Sequence, residues 1–361
     1  MTRRGLLAAT LAATLSFTAF ADEKSERAAA DLLHKRLQHE NPQDKALLDA
    51  VKGKDIVVVR GSMDQIEDVL RAARIQHTVI DPERVARYPL SSSMILMVNC
   101  PGDMPEASLR RIEKFVRAGG LLYTTDWALA NVVQRLFPKT IVHNGGSTGD
   151  EVVPVRIDQQ NDNLMSRMLL RKGTDPQWWL EGGSYPIKIL DSKRVEVLAS
   201  SATMGKRYGA TPVVVRFRHE DGEVIHVVSH FYRQLSTQGP AVAAKDAQID
   251  GLSKSDAEDF RKSEAAEAKL GDVESSYAFQ RMTSNLVTTK QKRNVELQEI
   301  YNQTVRAPAA LRGAPSASAA PVVDARKGTR MKVLTRQGDQ VKVRDEFGNE
   351  GWVAADDLVA H

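Results

Sequence analysis

The sequence predicts an α/β protein with a mainly parallel sheet, followed by a small all-β segment at the C-terminus. An unbroken apolar run from Met94 to Val98 is typical of a parallel strand that is buried on both faces. Three further strand-like runs, 54–60, 77–80 and 121–125, surround it, and segments of helical periodicity lie among them. This alternation predicts parallel strands with helices on both faces of the sheet.

The stretch 93–127 carries the centre of this sheet. After the strand Met94 to Val98, apolar residues recur at helical spacing. Gly119 and Gly120 are typical of the C-terminus of a helix. A second buried strand follows, and Asp126 comes directly after it. The junction of a strand with the next helix is where ligands and catalytic groups gather in open α/β sheets.

The rest of the chain adds more strands and two helix starts. Strand-like runs occur at 140–143, 152–157, 195–200, 212–217 and 224–229. Asp221-Gly222 predicts a hairpin turn between the last two runs. The patterns Ser62-x-x-Gln65 and Ser255-x-x-Glu258 are capping boxes, which predict that helices begin there.

One polar segment precedes the predicted α/β domain, which we place at 51–304, and a second lies within it. Residues 22–50 read as a helical lead-in that packs weakly or not at all. Residues 240–273 are polar and acidic, which predicts an exposed helical excursion ending near Gly271. A long helix over 274–304 is then expected to return to the sheet.

The N-terminus, residues 1–21, has the features of a secretory signal peptide. A basic start is followed by an apolar stretch and an Ala-Phe-Ala cleavage site before Asp22. The apolar stretch is too short for a comfortable membrane span, and no later stretch is long and apolar enough for one. We therefore expect a periplasmic or secreted protein with no transmembrane segment after cleavage, and with Asp22 as its first residue.

Charge and cysteine content exclude some classes of protein. The net charge is +4, of which Arg3 and Arg4 supply two, so that +2 remains after removal of the signal. Such a weak surplus argues against nucleic acid as a partner. Cys100 is the only cysteine, so an internal disulfide is impossible.

The C-terminal segment 305–361 resembles a bacterial SH3-like domain. The resemblance rests on Leu311-Arg-Gly-Ala-Pro-Ser316, the strand-like run 327–334 and the closing Gly351-Trp-Val353, with Ala314 where such domains carry Gly. It implies a small barrel that binds cell-wall glycan or peptide, or an envelope protein. Trp352 is expected to be its largest buried side chain. The rest of the expected core is Val333, Leu334, Val341, Val343, Val353 and Leu358.

Residues 54–304 resemble the class I glutamine amidotransferase-like superfamily, and above all its trehalose-utilisation-type branch. The resemblance rests on four motifs, which are Asp-Ile-Val-Val-Val from residue 55, Asn99-Cys-Pro-Gly102, Phe-Val-Arg-Ala-Gly-Gly-Leu-Leu from residue 115, and Ser-His-Phe from residue 229. The resemblance implies a flavodoxin-like three-layer sandwich.

The sequence departs from that family at both catalytic positions. True amidotransferases carry a Cys in a Gly-x-Cys-x-Gly elbow where this chain has Tyr123-Thr-Thr-Asp-Trp127. They carry His-Pro-Glu where this chain has His230-Phe-Tyr. Trp127 does not suit a tight elbow, which needs small neighbours. We therefore expect no glutamine hydrolysis by the family mechanism.

Two candidate site residues follow central strands, and each has a structural alternative. Cys100 is a candidate nucleophile, with His143 or His230 as its base, or else a small buried apolar group. Asp126 is a candidate base or metal ligand, or else the N-cap of the next helix.

The remaining candidates are weaker. His226 and His230 have metal-pair spacing only on a helix; on a strand they lie about 13 Å apart, so no metal site is predicted. Trp178, Trp179 and Tyr185 either stack on a sugar or anchor a loop on the core. The expected ligand-binding residues are Asn99, Cys100, Asp126, Trp127, His143 and His230, and no cofactor is expected.

Two functions compete at this point. The first is an envelope binding or scaffolding protein with a non-catalytic amidotransferase-like domain and an SH3-like domain. The alternative is an envelope hydrolase that uses Cys100, Asp126 and His230 in an arrangement foreign to the family. Enzyme chemistry requires at least two of these side chains within hydrogen-bonding reach of a common point.

Overall fold

The computed structural model describes residues 23–174, 176–230 and 242–360. The predicted signal peptide and Phe231 of the Ser-His-Phe motif lie outside these ranges. The helices are α1 (Glu23–Glu40), α2 (Pro42–Asp49), α3 (Ile66–Ala72), α4 (Glu106–Arg117), α5 (Gln134–Leu136), α6 (Ala202–Tyr208), α7 (Lys254–Lys262) and α8 (Leu270–Ile300). No helix of the described ranges is long and apolar enough to cross a membrane.

The strands form two large sheets and two small ones. The strands of the α/β part are β1 (Ile56–Val59), β2 (Thr78–Ile80), β3 (Ile95–Val98), β4 (Leu121–Thr125), β5 (Ile141–His143), β6 (Glu151–Pro154), β7 (Arg156–Ile157), β8 (Gln177–Leu180), β9 (Ile187–Ile189), β10 (Val195–Ser200), β11 (Pro212–His219) and β12 (Gly222–Val227). The C-terminal strands are β13 (Gln303–Val305), β14 (Ala309–Arg312), β15 (Pro321–Ala325), β16 (Arg330–Gln337), β17 (Gln340–Asp345), β18 (Glu350–Ala354) and β19 (Leu358–Ala360).

The main sheet is mixed. Its eight strands run in the order β2-β1-β3-β4-β12-β11-β10-β7. The strands from β2 to β12 pair in parallel, whereas β11, β10 and β7 are antiparallel to their neighbours. The turn at Glu220 and Asp221 reverses the chain between the paired residues His219 and Gly222, which confirms the expected hairpin. The parallel half therefore follows the sequence prediction, and the antiparallel half follows from this hairpin.

The N-terminal lead-in packs firmly, so the expectation of weak packing was wrong. Leu32, Leu33 and Leu37 of α1 are buried in the main core, and the helix lies along α8. Arg36 of α1 pairs with Glu40, Nη2 to Oε1 at 2.9 Å. Arg281 of α8 reaches the other oxygen of Glu40 at 3.4 Å. The apolar stripe and this buried ion pair fix α1 to the domain.

The described part of the polar excursion begins at residue 242, and its helices start elsewhere than expected. Ser253, not Ser255, is the N-cap of α7, because its hydroxyl accepts the backbone N–H of Asp256 at 3.1 Å. Gly271 lies inside α8 and does not end a helix. The long helix stops at Ile300 because residues 303–305 join the C-terminal sheet.

The C-terminal strands form an antiparallel, curled half-barrel, β13–β19, in the order β15-β14-β18-β17-β16-β13-β19. It has its own small core of Val305, Leu311, Ala325, Met331, Val341, Val343, Val353 and Leu358. Trp352 is only half-buried, because Gly351 and Val353 take the inward positions of β18. Val333 is 39% exposed and Leu334 lies outside the core, since β16 shifts register between Val333 and Thr335. Those three core predictions were wrong.

The half-barrel docks on the amino ends of the parallel strands. The backbone N–H of Ser92, just before β3, donates to the carbonyl of Glu346 at 2.8 Å. Lys332 pairs with Asp221 of the hairpin turn at 2.7 Å. The carboxyl ends of the parallel strands, where ligand sites gather, lie at the opposite edge of the sheet.

Candidate functional site

Asp126 occupies a strained elbow between β4 and a π-helical turn at Leu129–Val133. Its φ is +46°, in the left-handed region that non-glycine residues rarely adopt. A strained strand-to-helix turn of this kind exposes the nucleophile in many hydrolases. Small residues pack beside this turn, because a Cβ on Gly102 would lie 2.9 Å from that of Ala128. The backbone elbow is thus present, with Asp126 at its tip.

The carboxylate of Asp126 faces a loop and not the helix that follows. Oδ1 accepts the backbone N–H of Tyr185 at 2.9 Å, and Oδ2 accepts the hydroxyl of Ser184 at 3.1 Å. The N-cap interpretation was therefore wrong for this side chain. Burial raises the pKa of Asp126 to about 7, against the lowering effect of His230 and of these two donors.

His230, just beyond β12, meets Asp126 and Glu181. Its Nε2 lies 3.6 Å from Oδ2 of Asp126, and its Nδ1 lies 2.5 Å from Oε2 of Glu181. Burial alone would lower the pKa of His230, but Asp64, Cys100, Glu181 and Asp126 outweigh it and raise the pKa to about 11. The imidazole is therefore held by acidic groups from several directions.

Cys100, just beyond β3, joins the same cluster. One side-chain donor atom from each of Cys100, Asp126 and His230 lies within 4.8 Å of the other two. All three residues are at most 3% exposed. Burial raises the pKa of the Cys100 thiol, and the neighbouring His230 opposes this rise. The structure thus brings together three residues that the sequence placed on separate strands.

Asp64 and Glu181 belong to the site, although neither residue was predicted from the sequence. Asp64 is fully buried, and its Oδ2 accepts the hydroxyl of Thr125 and, at 3.5 Å, the backbone N–H of Cys100. Its Oδ1 has no hydrogen-bond partner among the described residues. Burial raises the pKa of Asp64, with His230 opposing. Its position after β1, at the same edge as Cys100, was the signal available in the sequence.

The loop that carries Asp64 replaces the expected start of α3. The helix begins only at Ile66, and its N-cap, Gln65, makes no side-chain cap hydrogen bond. The predicted capping box at Ser62 was therefore wrong. Gly61 permits this path, because a Cβ there would lie 2.1 Å from the carbonyl oxygen of Cys100. Glu181 follows β8, and no local pattern indicated it.

Two expected ligand-binding residues lie in an aromatic stack beside Asp126. The His143 ring stacks on Tyr185 with centroids 3.9 Å apart, and Tyr185 stacks on Trp127 at 5.6 Å. The indole N–H of Trp127 donates to the carbonyl of Gly183 at 2.8 Å. His143 is outside the group that converges on Cys100. The stack forms one wall of the loop that holds the Asp126 carboxylate.

Asn99 and His226 have structural partners. Asn99 donates to Glu67 at 2.8 Å and accepts the N–H of Ile66 at 3.3 Å, so its amide joins β3 to the start of α3. His226 contacts the Thr124 hydroxyl at 2.9 Å, and burial lowers its pKa to about 3. A neutral His226 within the sheet does not take part in the cluster.

The tryptophans of β8 divide between core and surface. Trp178 is 1% exposed and belongs to the main core. Trp179 is partly exposed, and its indole N–H donates to Asp150. This arrangement favours the anchoring interpretation for Trp178.

Comparison with known proteins identifies the C-terminal segment. Residues 307–359 match the family model of the bacterial SH3 domain. This confirms the resemblance seen in the sequence and agrees with the curled antiparallel half-barrel. No curated protein matches the chain.

Solved structures show distant likenesses. A putative ThuA-like protein from Bacteroides uniformis is 14% identical over 50% of this chain and 84% of its own, with a TM-score of 0.36. A β-galactosidase from Bacillus circulans sp. alkalophilus is 13% identical over 90% of this chain and 43% of its own, with a TM-score of 0.38. An exo-β-1,4-mannosidase from Opitutaceae bacterium strain TAV5 is 12% identical over 48% of this chain, with a TM-score of 0.33. This chain covers only 31% of that mannosidase.

Proposed function

We propose that this chain is a binding protein of the bacterial cell envelope, exported to the periplasm or secreted, whose SH3-like half-barrel binds cell-wall peptide. The match of 307–359 to the bacterial SH3 domain carries the proposal. In this proposal the α/β domain, with a flavodoxin-like and amidotransferase-like fold, ends just before Gln303. It serves as the platform on which the half-barrel docks.

The outer face of β17 and β18 supplies a ligand surface on the half-barrel. Trp352 is half-buried there, and it pairs in register with Lys342 on one side and Arg312 on the other. Large aromatic side chains that keep one face in water are enriched at binding surfaces. Lys342 pairs with Glu350 at 3.3 Å, and Lys342 and Arg312 together offer cationic groups to the carboxylates of a cell-wall peptide.

Cosedimentation with purified, protein-free cell-wall sacculi tests this surface. We expect the intact chain to sediment with the sacculi and Trp352→Ala to bind about tenfold more weakly, a loss of about 1.4 kcal/mol. Lys342→Ala should weaken binding in the same direction, whereas Lys327→Ala, in an exposed turn, serves as the matched control. An intact chain that stays in solution would exclude a cell-wall ligand and favour an envelope protein as the partner.

A hydrolase is the second candidate, and the convergence of Cys100, His230 and Glu181 favours it. A nucleophile, a base and an acid that orients the base are the parts of a catalytic triad. We rank it second because the Cys100 thiol is 1% exposed and burial raises its pKa, whereas catalytic cysteines are accessible and have a lowered pKa.

Reaction of the folded chain with iodoacetamide distinguishes the two candidates. A hydrolase should be alkylated at Cys100 at neutral pH, more slowly after His230→Gln, and should release fragments from sacculi in a reaction that Cys100→Ala abolishes. A thiol that reacts only after unfolding supports the binding protein.

A further inference from the structure

The carboxyl ends of β3, β4 and β12 bring three different donor groups to one buried point. A thiol, a carboxylate and an imidazole from Cys100, Asp126 and His230 lie within 4.8 Å of one another. Each of these groups is a regular ligand of Zn²⁺ in proteins. The elbow at Asp126 and the close approach of Gly61 to Cys100 fix two of the chain segments that meet here.

The spacing of the donors fits a shared ion. Two ligand atoms that each lie about 2.1 Å from a tetrahedral ion are about 3.4 Å apart. Nε2 of His230 and Oδ2 of Asp126 are separated by 3.6 Å. An ion between these two atoms therefore requires only a small adjustment of either side chain.

Glu181 orients the imidazole in the way that metal sites require. A carboxylate only accepts hydrogen bonds, so the contact of 2.5 Å with Oε2 of Glu181 shows that Nδ1 of His230 carries a proton. A ligating histidine almost always donates its other ring N–H to such an acceptor. Nε2, which lies nearest Asp126, would give up its proton when it binds the ion.

The balance of charge at the cluster also points to a cation. Within the described ranges, His230 is the cationic partner that Asp64 and Asp126 share, and neither carboxylate forms an ion pair with a lysine or arginine. Asp64 is fully buried, and its Oδ1 has no hydrogen-bond partner among the same residues. Buried carboxylates are costly unless they are paired or coordinate a metal. A divalent ion would compensate both carboxylates.

We propose that Cys100, Asp126 and His230 bind one divalent transition-metal ion of the zinc type. Asp64 completes the site, directly or through a water molecule, and Glu181 positions His230. The thiolate and imidazole select against Mg²⁺ and Ca²⁺, which prefer oxygen ligands. The site lies at the opposite edge of the sheet from the half-barrel, so it is separate from the proposed cell-wall surface.

Titration of the full chain, without an affinity tag and stripped with a chelator, tests the site. Co²⁺ is the spectroscopic probe, because a cysteine ligand gives a thiolate-to-cobalt charge-transfer band. We expect one Co²⁺ per chain with this band, and its displacement by one Zn²⁺ measured by elemental analysis. Glu181→Gln should weaken Zn²⁺ binding by about 10- to 100-fold. His39→Gln, on the exposed end of α1, is the matched control.

Cys100→Ser should abolish the charge-transfer band, and His230→Gln should weaken Zn²⁺ binding by at least about 100-fold. Circular dichroism of each stripped variant shows whether it is folded, and the titration of the unaltered chain does not depend on any variant. Folded, unaltered chain that binds no Zn²⁺, or that binds Co²⁺ without a thiolate band, would overturn the proposal. So would undiminished Zn²⁺ affinity in folded Cys100→Ser or His230→Gln.

Discussion

Arg344 of β17 donates a hydrogen bond to the backbone carbonyl of Arg117, the last residue of α4, at 3.1 Å. Arg344 is 4% exposed and also contacts Glu350 within the half-barrel and Glu220 in the turn before β12. Arg117 pairs with the same two carboxylates. A cation at a helix C-terminus is favourable, and here it joins the half-barrel to the α/β domain.

Substitution of Arg344 should loosen this junction. We expect Arg344→Ala to lower the free energy of unfolding by about 2 kcal/mol, because several charge-assisted hydrogen bonds are lost together. Urea unfolding gives the stability, and amide hydrogen exchange over 344–350 should become faster. Arg336→Ala, on the exposed part of β16, is the control. Equal stability and equal exchange in the two variants would show that the junction contributes nothing.

Lys290 of α8 makes the stability depend on pH. Its buried Nζ donates to the carbonyls of Ser92 at 2.5 Å and Gly119 at 2.7 Å. Burial lowers the pKa of Lys290 from 10.5 to about 7. The unfolded chain therefore binds more protons than the folded chain between these two pH values, so the contribution of Lys290 to the free energy of unfolding rises with pH across that window.

Comparison with Lys290→Met isolates this contribution. The difference in unfolding free energy, unaltered chain minus variant, should increase between pH 7 and pH 9 by at most about 1.4 kcal/mol per pH unit. The same measurement on Lys254→Met, at an exposed position of α7, should give a flat difference. A flat or falling difference for Lys290→Met would contradict the buried, neutral amine.

Glutaminase activity should be absent. The strand-to-helix turn after β4 carries Asp126 and no cysteine, and the Asp126 carboxylate accepts hydrogen bonds from Ser184 and Tyr185. Ammonia release from glutamine by the purified chain should equal that of Cys100→Ala. Release that depends on Cys100 would refute this.

The sequence predicts the central strands of the sheet and places Cys100, Asp126 and His230 at the ends of such strands. Buried parallel strands leave apolar runs, and residues that follow such strands share one edge. Cys100 and Asp126 were found by that rule. Asp64 obeys the same rule, but the pattern at Ser62 and Gln65 also matches a capping box, and local sequence does not show which of the two prevails.

Other features depend on contacts between distant segments. Glu181 reaches His230 from the loop after β8, and only the folded chain shows that this loop returns to the sheet. Leu32 and Leu33 looked like scattered leucines in a polar segment until α8 supplied the surface that covers them. The inward side of β16 depends on its register shift, which has no distinct sequence pattern.

The core of the half-barrel gives a test of which side chains stabilise it. Leu311 is fully buried, and a Cβ added to Gly351 would lie 2.7 Å from the Cβ of Leu311. Leu311→Ala should cost about 2–5 kcal/mol, as for other buried leucines. Trp352→Ala should cost about 1–2 kcal/mol, because half-burial removes only part of its apolar surface from water. A larger loss of unfolding free energy in Trp352→Ala, measured by urea unfolding, would show that Trp352 is a main core residue of the half-barrel.

The boundary of the half-barrel follows from β13. Gln303 pairs with Met331 of β16, and Val305 pairs with Leu358 of β19, so β13 closes the gap between these strands. Val305 is also 1% exposed and part of the core.

A fragment of 302–361 should therefore show a dispersed amide spectrum and a cooperative melt. A fragment of 306–361 lacks the strand between β16 and β19, and a domain of this size has little stability to spare, so it should be largely unfolded. Equal, cooperative folding of both fragments would show that β13 is dispensable, and an unfolded longer fragment would show that the half-barrel needs its junction through Arg344.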